Sequence, residues 1–248
     1  MNDVERQINW ILEDKYKGKW NLEILGDILR LNRGEPIDYV IGWKPFLECK
    51  IDLSKKPLIP RFETEFWTGK AIDSVNKRKG AVSVLDIFSG SGCIGTAVLK
   101  NCANAKVDFS ELDKNLLAQI KVNLKLNGIR GQRYKIIHSN IFSKIKNRYD
   151  FIFANPPYIP LSRRKNIQKE VIKHEPGLAL FGGKDGLSAI LKFLKDGSKY
   201  LKSNGQIWME FDAPQKKSIE KILDGLFYSS WTFGRDQYGR WRYVVINK

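Results

Sequence analysis

Asp86-Ile87-Phe88-Ser89-Gly90-Ser91-Gly92 closes the apolar run Val82-Ser83-Val84-Leu85 and leads into a helical pattern from about residue 93. The run has the length and composition of a buried strand. Glycines at a strand-to-helix turn permit tight turning and bring backbone close to a ligand at the helix N-terminus. Taken alone, the turn fits either a cofactor loop or simple close packing.

The chain on either side decides between them. Further strand-like segments lie near 105–110, 134–138, 149–154, 205–211, 226–233 and 241–247, with helical patterns between most of them. Strands alternating with helices predict an α/β fold, a mainly parallel sheet covered on both faces. No helix separates the last two strands, so they are expected to form an antiparallel hairpin at the sheet edge. Upstream, helical spacing runs over 63–76. Residues 3–16 and 21–31 predict two short helices that stop at Asn32-Arg33-Gly34. Leu47, Cys49, Ile51 and Leu53 alternate and predict a strand, paired in a hairpin with Tyr39-Val40-Ile41.

Candidate ligand groups fall at successive strand ends. Glu111 follows Gly92 by 19 residues, where a carboxylate can accept both hydrogen bonds of a ribose diol. Asp108 is a rival inside the same strand, and Asp113 reads as the N-cap of the next helix. After the third strand, Asn140 can meet an adenine edge while Ile141 packs on the ring.

The run Tyr149-Asp150-Phe151-Ile152-Phe153-Ala154 leads straight into Asn155-Pro156-Pro157-Tyr158. Two prolines hold the chain extended and stiff, and neither has an N–H to donate. The Asn155 side-chain oxygen and the Pro156 carbonyl then form a rigid acceptor pair, matched to the two hydrogens of a planar NH2 group. Tyr158 offers an aromatic face to whatever carries that group. An amide nitrogen is a poor nucleophile because its lone pair is delocalised. Two acceptors aim the lone pair at a sulfonium methyl and stabilise the charge developing on nitrogen. The bland alternative is a rigid turn after a strand.

Several segments resemble one known group. Glu35 to Gly42, Leu58 to Glu65 (LIPRFETE against LIPRPETE), Val84 to Gly95, and Asn155 to Pro160 (NPPYIP) are similar to the HemK/PrmC family of release factor glutamine N5-methyltransferases. So are Glu175-Pro176, Ala179-Leu180 and Gly182 to Leu187. The NPPY element is shared with other amino methyltransferases, and the remaining segments point to the glutamine branch.

The resemblance implies a class I (Rossmann-like) methyltransferase fold with a seven-stranded sheet. It implies S-adenosyl-L-methionine as donor and the glutamine of a class I peptide chain release factor's Gly-Gly-Gln loop as acceptor. By position, Asp86, Phe88, Ser89, Gly90, Ser91, Gly92, Glu111, Asn140, Ile141 and Asn155 would hold the cofactor. Asn155, Pro156, Pro157 and Tyr158 would be catalytic; Arg61, Thr64 and Glu65, with Asn155 and Tyr158, would face the substrate. The alternative for 61–65 is a helix start whose acids complement the dipole. The implied organisation is a helical substrate-binding segment at 1–34, a hairpin linker at 35–62 and the methyltransferase domain at 63–248.

Three positions depart from the family pattern. Phe88 stands where glycine is usual, so a positive φ there would be costly. Phe62 replaces a proline and Asn140 an aspartate, and the segment before Glu35 is shorter than the family's N-terminal helical domain.

Composition constrains the rest. Lys and Arg number 43 against 27 Asp and Glu, for a net charge of +16. Such a surface favours an anionic partner, so RNA contact stands beside the plainer reading of solvated lysines. Ser162-Arg163-Arg164-Lys165 is the candidate patch, and a nucleic-acid or ribosomal-protein methyltransferase is the alternative function. A non-catalytic basic binding protein is a third class, opposed by Glu111 and Asn155-Pro156-Pro157-Tyr158. Cys49, Cys93, Cys102, His138 and His174 show no metal spacing, so no metal is expected. No long apolar run predicts a membrane span, and a cytoplasmic monomer is expected.

Overall fold

The computed structural model describes residues 3–248; Met1 and Asn2, the first two residues of the expected N-terminal segment, lie outside them. The central sheet has seven strands: β3 (Val82–Ile87), β4 (Ala105–Glu111), β5 (Tyr134–His138), β6 (Tyr149–Ala154), β7 (Leu201–Glu210), β8 (Ser230–Arg235) and β9 (Trp241–Asn247). Their spatial order is β5-β4-β3-β6-β7-β9-β8. Pairings from β5 through β7 are parallel, and β9 runs antiparallel between β7 and β8. The seven-stranded, mainly parallel sheet with an antiparallel edge hairpin is therefore present as the sequence predicts.

Successive side chains along a strand face opposite sides, and here both sides are dry. Val84, Phe151 and Phe153 enter one core with α4 (Phe62–Asn76), α5 (Cys93–Asn101) and α6 (Lys114–Leu126). Leu85, Ile152 and Ala154 enter the other, against the helices Ser188–Gly197 and Lys216–Asp224. The chain leaves β3 toward β4 and β5, then returns to β6 on the opposite side of β3. That reversal opens a crevice beyond the C-terminal ends of β3 and β6, where open α/β sheets place ligands.

The region ahead of the sheet departs from expectation. Tyr39-Val40-Ile41 is not a strand: it lies in α3 (Ile37–Ile41), which Pro36 precedes and Gly42 ends at φ 94°. Proline immediately before a helix and a left-handed glycine after it are start and stop signals, and they override the β-branched content. The hairpin is instead β1 (Trp43–Phe46) with β2 (Cys49–Asp52), turning at Leu47 and Glu48, both with positive φ. It is fastened to α6: the Asp52 amide donates to Asn123 Oδ1 (2.7 Å) and Gln119 Nε2 donates to the Asp52 carbonyl (2.8 Å).

Two helices, α1 (Asp3–Tyr16) and α2 (Glu23–Asn32), precede α3. Their hub is Asp27, which accepts from Lys15 (2.6 Å), Tyr16 (2.8 Å) and Arg30 (3.0 Å). Arg30 also forks onto Glu35 and, with Lys56, holds that carboxyl down at about 2. Trp10 and Trp20 are largely exposed, whereas Trp67 and Trp208 are buried. The last strands also begin differently: β7 starts at Leu201, and β8 only at Ser230, after an exposed Phe227.

Candidate active site

The turn after β3 meets its steric problem without the usual glycine. Phe88 stands at φ 60°, a left-handed conformation that costs an L-residue roughly 1–2 kcal/mol. Its neighbours hold it there. The Ser89 hydroxyl donates to the Asp86 carbonyl (2.7 Å), and the Ser89 amide donates to the Ser110 carbonyl (3.2 Å). The Phe88 ring packs edge-on against Phe193 at 5.9 Å between centroids. Gly90 and Gly92 also have positive φ, and Gly92 starts α5.

Below the turn, Asp86 is fully buried, and its Oδ2 accepts the Gly95 amide at 2.9 Å. Desolvation pushes its carboxyl well above the usual carboxylate range. A Cβ on Gly95 would strike Phe109, so glycine is what lets α5 lie this close to the sheet. Asp86 and Gly92 line no cavity. They were expected to touch a cofactor, but they shape the loop from beneath.

Glu111 ends β4 almost buried. Its Oε2 accepts the Gly90 amide (2.7 Å), and its Oε1 accepts the amides of Leu112 (2.7 Å) and Asp113 (2.8 Å). The rival Asp108 is occupied by the Tyr149 hydroxyl (2.8 Å), and Asp113 caps α6 through the Asn115 amide (2.8 Å). Together with Phe88, Ser89, Gly90, Ser91, Asn140 and Ile141, Glu111 lines a mainly apolar cavity of about 320 Å³. Asn155, Pro157, Arg61 and Thr64 lie along the same cavity. A second cavity of about 270 Å³ is lined by Tyr158, Ile159, Val171 and Leu180. Leu58, Arg61, Asn155 and Ala179 line both, so the two meet at Asn155.

The acceptor side is held by buried side chains. The Asn155 amide group donates through Nδ2 to Thr64 Oγ1 (3.3 Å), and the Thr64 hydroxyl donates to Glu210 Oε2 (2.7 Å). Trp67 Nε1 donates to the same oxygen (2.7 Å), while the Tyr158 hydroxyl donates to Glu210 Oε1 (3.0 Å). Burial pushes the Glu210 carboxyl up, partly offset by these donors and by the Arg242 charge. Desolvation also drives the Tyr158 phenol far above its ordinary value, with Glu210 adding to it, so the hydroxyl remains a donor.

The backbone of this loop is bracketed by the Gly182–Leu187 segment. The Ile159 amide donates to the Leu180 carbonyl (2.9 Å), and the Gly182 amide donates back to Ile159 (3.0 Å). Gln215 Nε2 donates to the Tyr158 carbonyl at 2.9 Å. A Cβ on Gly182 would collide with the Pro157 carbonyl, and one on Gly186 with the Tyr158 carbonyl. The Pro156 carbonyl accepts no hydrogen bond among the described residues. Pro156 itself is buried and lines neither cavity.

Two expected substrate residues are otherwise engaged. Glu65 lines neither cavity; its Oε1 accepts the Leu47 amide (2.8 Å) and fastens α4 to the hairpin turn. Arg61 lines both cavities but forms a 2.6 Å ion pair with buried Glu175, which also accepts the Ile59 amide at 3.2 Å. Glu175, Glu210 and Gln215 escape sequence reasoning as site residues. Glu210 had a usable signal, because it ends an apolar strand just as Glu111 does.

These features have counterparts in known proteins. Residues 50–238 match the methyltransferase small domain family. A release factor glutamine methyltransferase of Agrobacterium fabrum is 32% identical over 89% of this chain and 77% of its own. One from Lactococcus lactis subsp. lactis is 30% identical, over 88% and 79%. A methyltransferase from Pyrococcus furiosus shares the fold with a TM-score of 0.59 and 19% identity, over 88% of this chain and 95% of that one. The chain belongs to the methyltransferase small domain family and, within it, to the HemK/PrmC release factor glutamine methyltransferases.

Proposed function

We propose that the protein methylates the side-chain amide nitrogen (N5) of the glutamine in the Gly-Gly-Gln motif of a peptide chain release factor. The observation that carries this reading is the meeting of two cavities at Asn155. One is edged by Glu111 and the positive-φ turn; the other by Tyr158 and apolar side chains.

The first cavity suits S-adenosyl-L-methionine. Glu111 is held by three backbone amides and keeps about one lone-pair site, on Oε2, for a ribose hydroxyl; Asn140 and Ile141 line the same cavity for an adenine. When bound, the cofactor supplies an electrophilic sulfonium methyl. The protein's task is then to present an amide nitrogen. Asn155 Oδ1 and the Pro156 carbonyl accept its two hydrogens, and Tyr158 packs on the plane of the amide. These fixed acceptors stabilise the positive charge that grows on nitrogen, and they need no reorganisation to do so. The methylated nitrogen then loses its proton to solvent, so no titrating base is needed.

The family membership favours glutamine over a nucleobase as acceptor, and so does the basic turn beside the loop. Arg163 is paired with Asp212 at 2.6 Å, and Arg164 rests over the Phe181 ring at 5.7 Å. Much of that turn's charge is engaged within the fold, leaving RNA a lesser partner than the release factor. The reading includes a monomer acting in the cytoplasm, with residues 1–34 helping to seat the protein substrate. No helix among the described residues is long and apolar enough to cross a membrane. The test is mass spectrometry of a release factor incubated with enzyme and cofactor. One added methyl on the Gly-Gly-Gln peptide is expected, and methyl on any other peptide would refute the assignment.

A further inference from the structure

Glu210 lies at the C-terminal end of β7, and three donors converge on its carboxylate: the Thr64 hydroxyl, the Trp67 indole and the Tyr158 hydroxyl. It touches neither cavity. We propose that Glu210 is a positioning residue, which dictates through Thr64 and Tyr158 the direction in which Asn155 presents its amide. The proposal rests on the reading of the acceptor as an NH2 group.

The argument is one of hydrogen-bond direction. An ionised carboxylate only accepts, so each neighbour must donate to it. A threonine hydroxyl has a single hydrogen, and Thr64 spends it on Glu210 Oε2 at 2.7 Å. Toward Asn155 it has lone pairs alone. The Asn155 amide therefore turns its NH2 to Thr64 and is left with Oδ1 as the acceptor for a substrate N–H. The reverse orientation would offer the substrate a donor where it also has donors. The Tyr158 hydroxyl, anchored on the other carboxylate oxygen, fixes the ring in the same way. One buried charge thus orients both ends of the Asn155–Tyr158 loop.

A carboxamide at 210 keeps the shape but inserts two donors among three. One neighbour must then turn its hydrogen away, and a reversed Thr64 would push Asn155 to turn over. A purely structural role for Glu210 would act through Trp67, which staples α4 to β7 and lines no cavity. The two roles separate in single-turnover methyl transfer to a release factor.

Glu210→Gln and Thr64→Val are expected to slow the step by about 100-fold, as small misplacements of reacting groups do. Cofactor Kd and acceptor KM should stay within about threefold of wild type. Thr64→Ser should recover most of the rate. Trp67→Phe should lower Tm while leaving the rate near wild type. Wild-type rates in both Glu210→Gln and Thr64→Val, or an equal loss in Trp67→Phe, would overturn the proposal. A wild-type enzyme that never methylates the release factor defeats the functional reading instead. The network is then read by nitrogen-edited NMR of the Asn155 amide, assigned by its loss in Asn155→Ser. A shift in Glu210→Gln and Thr64→Val supports it, and an unmoved signal overturns it.

Discussion

The two halves of the cleft organise their polar groups by opposite means. On the cofactor side the turn after β3 is left-handed at Phe88, Gly90 and Gly92, and Glu111 is tied to three backbone amides, one of them Gly90's. On the acceptor side the backbone contributes the Pro156 carbonyl alone, and the side chains of Thr64 and Tyr158 are tied to one buried carboxylate, with Asn155 tied to Thr64. The cofactor half should therefore respond to changes in φ. The acceptor half should respond to the loss or reversal of single hydrogen bonds, and to added Cβ atoms where Gly182 and Gly186 bracket its loop.

Asn155→Ala should break the acceptor half most completely. It removes one of two fixed acceptors and should lower the single-turnover rate by about a thousandfold, with folding unchanged by circular dichroism. A near-normal rate would show that the acceptor half does not work through side-chain direction. Gly186→Ala is next. Glycine there has φ 78°, and a Cβ would meet the Tyr158 carbonyl, so the bracket around the loop must shift. A stability loss of about 3 kcal/mol in urea unfolding is expected, with slower turnover.

Acid separates activity from stability in the same half. Burial raises the Glu210 carboxyl above the ordinary glutamate value of 4.5. Its facing groups are Thr64, Trp67, Tyr158 and the Arg242 charge. Turnover needs the ionised form, so it should fall about tenfold per pH unit below the raised pKa. Stability runs the other way. A raised carboxyl favours the fold below its unfolded value of 4.5, and that contribution fades as pH rises through the folded value. Comparing rate and Tm across pH in wild type and Glu210→Gln checks both signs, since the variant should lose both dependences.

The smallest effect belongs to the cofactor half. Phe88→Ala keeps the positive φ and loses the ring packed on Phe193, whereas Phe88→Gly loses the ring but relieves the backbone. The glycine variant should be the more stable by about 1 kcal/mol, reversing the usual order of the two residues. Equal melting temperatures would mean that the turn is not strained.

What the sequence disclosed follows the same division. Strands β3 to β6, the glycine turn, Glu111 and Asn155-Pro156-Pro157-Tyr158 are local patterns, and the structure has them where the patterns put them, whereas β7 and β8 begin elsewhere. The Phe88 conformation was legible as a conflict between a bulky residue and a glycine position. Glu210 was legible only as an acid at a strand end; its partners were not, because Thr64 and Trp67 lie 146 and 143 residues away in sequence. Glu175, which takes Arg61, is separated from it by 114 residues. Periodicity carries no information about such pairs. The α3 error was different in kind: Pro36 and Gly42 were visible, but the apolar content of Tyr39-Val40-Ile41 outweighed them.

The central claim is that a glutamine side-chain amide is the group presented to the methyl donor. Its most direct test offers labelled S-adenosylmethionine with three acceptors in parallel: a matched release factor, its Gly-Gly-Gln variant with glutamine changed to alanine, and RNA. Label is predicted in the first alone. Label in RNA but in neither protein would contradict the account.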